Sequence, residues 1–178
     1  RKFRHIFENI LKLSLSDAHM TELGHRFSTL IWEEMERAPF VPGAVAFLQR
    51  YSRRVSLYVA SGTPQGELRE IVRLRELALY FVETFGSPPT KAEILSDILA
   101  RERIDGREAW FVGDSRTDYE AAREVGVRFV GCVSADSPSD PFENAGIPVL
   151  PDLHQLGRLI DTGEEPTREP RSARGVAG

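Results

Sequence analysis

The sequence predicts an α/β fold, a parallel sheet with helices on both faces, preceded by a small helical segment. Three observations carry this. Between residues 43 and 160, short apolar runs of strand length alternate five times with stretches of helical periodicity. Such alternation is the pattern of βαβ units, whose crossovers make neighbouring strands parallel. Residues 1–38 carry helical spacing only. With 41% hydrophobic residues among 178, the chain can build one domain with a small insert.

The elements follow in order. Phe3, Ile6, Phe7, Ile10, Leu11 and Leu13 recur at roughly helical spacing and predict a first helix. Ser14 to Asp17 break it, and Ser16 or Asp17 can cap a second helix. That helix takes its apolar stripe from Leu23, Phe27, Leu30, Ile31 and Met35. The two form a helical hairpin that Pro39 and Pro42 end. Pro42 then stands at the first position of a helix carried by Ala44, Val45, Phe47, Leu48 and Tyr51. Residues 55–60 predict a buried strand, and Thr63-Pro64 opens a helix carried by Leu68, Ile71, Val72 and Leu77. Residues 80–85 predict the next strand. Thr90 and Glu93 form a capping box for a helix reaching Arg103.

Residues 109–112 predict a strand, followed by a helix marked by Ala121, Ala122 and Val125 and closed by Gly126. Residues 127–133 form another strand. Residues 147–150 form a short one, which Pro148 places near a sheet edge. Leu153, Leu156, Leu159 and Ile160 predict the last helix. Residues 161–178 hold Gly, Glu, Pro and Arg with almost nothing apolar, and predict a flexible tail.

Composition excludes several function classes. A net charge of -4 with pI about 5.7 argues against a nucleic-acid binder. The single cysteine, Cys132, permits neither an intrachain disulfide framework nor a cysteine-built zinc site. No apolar run approaches the roughly 20 residues that a membrane helix needs. Glu8, Lys12 and Asp17 interrupt any secretory core in residues 1–20. The expectation is a cytoplasmic protein that binds neither membrane nor nucleic acid.

In parallel sheets ligands gather at the carboxyl ends of the strands, and three such ends carry chemistry. At Ala60-Ser61-Gly62-Thr63-Pro64 an apolar strand runs into small hydroxyl residues. The Ser61 hydroxyl and the following amides suit an anionic oxygen; equally, Thr63 is a helix cap and Gly62 a turn residue. Lys91 sits in the first turn of its helix, where a cation opposes the helix dipole unless an anion is near. An exposed lysine reaching into solvent is the alternative. At Gly113-Asp114-Ser115-Arg116-Thr117-Asp118, Gly113 permits a tight turn and the two aspartates fall about one helical turn apart. Both carboxylates can face one point and suit a hard cation such as Mg²⁺. A Ser115–Asp118 capping box also explains Asp118, though not Asp114. A hydroxyl, a cation and a carboxylate pair together suit phosphoryl transfer.

This set resembles the haloacid dehalogenase superfamily of phosphatases. Ser61 matches its second motif, Lys91 its third, and Gly113-Asp114-Ser115-x-x-Asp118 its fourth. Pro42-Gly43 before the core helix is similar to the phosphoglycolate phosphatase and β-phosphoglucomutase branch. The resemblance covers about residues 1–160. It implies a Rossmann-like core over residues 39–160 and a helical cap over residues 1–38. Ser61 and Gly62 would bind the phosphoryl group, and Lys91 would bridge nucleophile and phosphate. Asp114 would ligate Mg²⁺. Asp118 would act as ligand or support and, with Lys91, as a catalytic residue. His5, His19, His25 and Arg26 are cap side chains that could touch substrate.

The family's first motif, a strand ending in Asp-x-Asp, occurs nowhere in the sequence. The resemblance places it before the cap, upstream of Arg1, and makes its strand central in the sheet. The expectation is therefore a truncated sequence, inactive alone, from a Mg²⁺-dependent phosphatase of a small phosphorylated metabolite. Its reaction would pass through an aspartyl-phosphate. A sugar phosphomutase and a non-catalytic binding module are the alternatives. The oligomeric state, monomer or dimer, stays open.

Overall fold

The chain divides into two units, Arg1–Pro39 and Phe40–Gly178. The computed structural model describes residues 37–163 together with Ser16, His19 and Glu22. The expected helical hairpin, with His5, His25 and Arg26, falls outside the described residues, as do residues 164–178 of the expected tail. Within the first unit, His19 is helical and exposed. Its backbone N–H donates to Ser16 Oγ at 3.3 Å, and its Nδ1 lies 2.9 Å from the same hydroxyl.

In the second unit, strands and helices alternate as α1 (Ala44–Tyr51), β1 (Tyr58–Pro64), α2 (Gln65–Leu74), β2 (Glu83–Ser87) and α3 (Lys91–Glu102). They continue as β3 (Trp110–Gly113), α4 (Arg116–Val125), β4 (Arg128–Cys132), β5 (Val149–Leu150) and α5 (Leu156–Thr162). Every strand pairing is parallel. β5 lies at an edge, where Pro148 was expected to put it.

The strands form two parallel sheets, β1–β2 and β3–β4–β5. β1 and β3 share no backbone ladder, as expected of a sequence that lacks the strand the resemblance makes central. Among the described residues neither has a partner on its second edge. The two sheets are joined instead through their helices, with α3 packed on β1, α4 on β3, and α3 against α4.

The three-stranded sheet is covered on both faces. Ala122, Val127, Phe129, Val133, Phe142 and Val149 form one apolar cluster. Val130, Leu150, Leu156 and Leu159 form the other, with Phe47, Trp110, Val112 and Leu153 packed against it. The two-residue period of β4 sends Phe129 and Val130 to opposite faces, hence the nearly continuous apolar run of this strand. The β4–β5 connection, residues 133–148, contains no helix, so the alternation lapses there. It contributes Phe142, which is 1% exposed and lies over Gly131.

Several boundaries shift, each for a local reason. α1 starts at Ala44 with Gly43 as its cap, so Pro42 lies before the helix and not at its first position. The Val55 N–H bonds back to Tyr51 O at 3.0 Å, which spends residues 52–57 on leaving α1 and delays β1 to Tyr58. β1 then runs through Ser61 to Pro64, so Thr63 is strand and Pro64 caps α2. Tyr80 closes a 3-10 turn with Leu77, which delays β2 to Glu83. The last helix starts at Leu156 and runs on through Asp161 and Thr162, into the segment expected to be tail. Asp161 accepts from the Tyr51 hydroxyl and from Arg54 Nη1, both at 2.7 Å, tying α5 to the end of α1.

Candidate active site

The carboxyl end of β1 is irregular. Ala60 pairs with Phe85, and the next pairing joins Pro64 to Ser87. Ser61, Gly62 and Thr63 therefore face Gly86 alone. The Ser61 hydroxyl folds onto this bulge: it accepts from Thr63 N at 3.1 Å and donates to Thr63 Oγ1 at 3.1 Å. Gly62 is exposed, and an added Cβ there would meet nothing.

β2 delivers Lys91 to the first position of α3, where the reciprocal Thr90–Glu93 capping box fixes the start of the helix. Those hydrogen bonds from Thr90, backbone first, hold the Glu93 carboxyl below its usual range. From there Lys91 Nζ donates to Asp118 Oδ1. The lysine is thus not a free surface cation. It pairs with a carboxylate from the neighbouring helix, which resolves its position against the α3 dipole.

β3 ends at Gly113. Its need for glycine is one of space: a Cβ would lie 2.5 Å from Asp118 Cβ and 2.7 Å from its Cγ. Its φ is not positive, so close approach replaces the expected turn as the reason. Asp118 is 3% exposed. Its Oδ2 accepts from Ser115 N at 3.1 Å and from Ser115 Oγ at 2.5 Å, completing a capping box. Asp118 therefore caps α4 and also pairs with Lys91, one oxygen for each task. Asp114, by contrast, is exposed and makes no hydrogen bond or ion pair among the described residues.

Of the residues singled out, Lys91 and Asp118 touch. Ser61, Gly62 and Asp114 lie at carboxyl ends of strands without bonding to that pair. Two further residues were not foreseen. Burial first, then the charges of Asp152 and Asp114, push the Cys132 thiol up to about 11. Asp114, Cys132 and Asp152 thus share the neighbourhood where β3, β4 and β5 end. Asp152 could have been found from its place just after the last strand. A polar groove of about 380 Å³ lies elsewhere, between α4 and residues 140–145, and is lined by none of Ser61, Lys91, Asp114 and Asp118.

The family model for haloacid dehalogenase-like hydrolases matches residues 4–126. The chain belongs to this family. Solved structures share the fold of this haloacid dehalogenase-like protein. A predicted phosphoglycolate phosphatase from Haemophilus somnus 129PT is 16% identical with a TM-score of 0.72, over 86% of this chain and 72% of the other. A candidate beta-phosphoglucomutase from Thermotoga maritima is 22% identical with a TM-score of 0.67, over 90% and 77%. A haloacid dehalogenase-like family hydrolase from Streptococcus pneumoniae is 20% identical with a TM-score of 0.56, over 71% of this chain. The chain spans 62% of the length of that hydrolase. No curated protein sequence matches it.

Mg²⁺ takes one or two carboxylates and keeps several waters. Asp114, exposed and unbonded, fits as one such carboxylate. Both oxygens of Asp118 are already engaged by Ser115 and Lys91, which suits support better than direct ligation. Among the described residues no group of three acidic, histidine or cysteine side chains gathers to hold a metal. No described helix is long and apolar enough to cross a membrane.

Proposed function

We propose that the whole protein is a Mg²⁺-dependent phosphatase of a small phosphorylated metabolite, working through an aspartyl-phosphate. In that reading the attacking aspartate belongs to the Asp-x-Asp motif, which the family resemblance places ahead of the helical cap. The observation that carries this reading is the contact between Lys91 of α3 and the buried Asp118 of α4. It joins the ends of two separate sheets and brings a cation to the edge where Asp114 stands exposed. Bound Mg²⁺, held by Asp114 with Asp118 in support, would neutralise phosphate charge.

The residues of this chain then divide the work. Ser61 and the Gly62 amide hold the phosphoryl oxygens, for which the Ser61 hydroxyl must turn from Thr63. Lys91 places its charge between the phosphate and the attacking carboxylate, and Asp118 aims Lys91. Ser115, by holding the second oxygen of Asp118, keeps that aim fixed.

The test is phosphate release by the full-length form from a panel of phosphate esters with Mg²⁺. Turnover is expected, with a loss of about 100-fold or more in Asp114→Ala. Full turnover in that variant would remove the metal role from Asp114. Product analysis on a sugar 1-phosphate separates hydrolysis from isomerisation, since a mutase returns the isomer and little free phosphate.

A further inference from the structure

We propose that Gln65 is a positioning residue that fixes the Ser61–Gly62 bulge relative to Lys91; this role rests on the phosphatase reading above. Tyr58, Val59 and Ala60 pair in step with Glu83, Thr84 and Phe85, and the step is lost directly afterwards. Where a ladder is interrupted, register is weakly specified unless side chains hold it. The Gln65 carboxamide supplies that hold. Its Nε2 donates to Thr84 O at 2.9 Å, and its Oε1 accepts from Gly86 N at 2.6 Å. Donor and acceptor on one planar group grip β2 on both sides of Phe85.

The grip sits where the backbones already touch. A Cβ on Gly86 would lie 2.5 Å from Thr63 O and 2.8 Å from Gln65 Cα. Beyond Gly86 the chain reaches Lys91 through Ser87, Pro88, Pro89 and Thr90. Two prolines restrict that link, and the Thr90–Glu93 box fixes its far end. On the other side, Ser61 and Gly62 lead into Gln65 through Thr63 and Pro64 alone. A slip of Gly86 against Gln65 is therefore passed to both groups that would hold the phosphate. The Gln65 carboxamide bonds to Thr84 O and Gly86 N, so it acts through the backbone that leads to Ser61 and Lys91.

Gln65→Met keeps the side-chain length and removes both bonds. Gln65→Glu keeps the acceptor for Gly86 N and removes the donor to Thr84 O. In the full-length form with Mg²⁺, Gln65→Met is expected to raise KM for a phosphate ester, and Ki for inorganic phosphate, about tenfold or more. Exchange of the Gly86 amide should quicken, with the thermal midpoint near that of the wild type. Gln65→Glu should fall between, and it carries the comparison if Gln65→Met does not fold. A lowered midpoint with unchanged KM and Ki would overturn the positioning role, as would unchanged Gly86 exchange. A wild type that turns over no phosphate ester overturns the phosphatase reading itself. A wild type that does so, with Gln65→Met at wild-type KM and Ki, overturns the positioning role alone.

Discussion

The two sheets differ in how they are held. β3–β4–β5 is packed on both faces, and Val130, Leu150 and Phe142 are almost wholly buried. β1–β2 draws its burial from Leu68 and Val72 of α2 and Ile94 and Leu95 of α3, while Leu79 and Val82 beside it are 74% and 61% exposed. The better packed half carries Asp114 and Asp118. The less covered half carries Ser61 and Lys91, and it holds its geometry with polar devices: a capping box, a bulge and the Gln65 grip. The difference teaches that capping boxes set both sides of the site, on a well-packed sheet at Asp118 and on a less covered one at Lys91. The Lys91–Asp118 pair links the two where α3 packs against α4.

The largest effect should come from the packed half. Phe142→Ala removes a ring that is 1% exposed and packs on Gly131 and Phe129. It should cost about 3–5 kcal/mol in denaturant unfolding. Leu79→Ala, an equally apolar deletion in the other half, should stay within about 0.5 kcal/mol. Equal losses at the two positions would erase the contrast.

Next comes the seam. Gly113→Ala drives a methyl against the Asp118 side chain, and the rigid end of β3 leaves only Asp118 to give way. A loss of about 1–3 kcal/mol is expected from the overlap. It should be accompanied by loss of phosphate-ester turnover, because Asp118 aims Lys91. Full turnover in this variant would detach the pair from the site. A smaller effect follows from Ser115→Ala, which removes one half of the α4 capping box. It should cost about 1 kcal/mol in thermal or denaturant unfolding and leave the β1–β2 half untouched.

What the sequence made legible divides along the same line. The alternation of elements, the Thr90–Glu93 and Ser115–Asp118 capping boxes, the Gly126 stop and the β5 edge could be read, because each depends on neighbours in sequence. β1 and β2 were read too early, since apolar content marks burial whereas pairing marks a strand. Val55 is apolar yet turns off α1, and Tyr80 is apolar yet closes a 3-10 turn. The site behaves likewise. Asp118 was legible as the cap of α4, and its pairing with Lys91 was not. Its bond to Lys91 joins residues 27 apart and needed the packing of α3 on α4. Gln65 gave no signal: a polar residue at the start of a helix is ordinary, and its purpose appears only with the register break beside it.

The smallest effect concerns acid, and it separates the two kinds of hold. The Tyr51 and Arg54 hydrogen bonds keep the Asp161 carboxyl below its usual range, while the Asp161 bond raises the Tyr51 hydroxyl. A depressed carboxyl gives stability that is present above its unfolded value, about 4. That stability is lost as pH falls through the lower folded value. Thermal midpoints should therefore drop below about pH 4, and Asp161→Asn should flatten part of that drop. The Asp161 and Arg54 side chains are solvent-exposed, so the contribution is small and should shrink further in high salt. Glu93, depressed by Thr90 in the other half, offers the matched control. Glu93→Gln should flatten the acid limb in the same direction without loosening α1 from α5. If Asp161→Asn leaves the pH profile unchanged while Glu93→Gln alters it, the α1–α5 tie is held by its apolar contacts and not by the carboxylate.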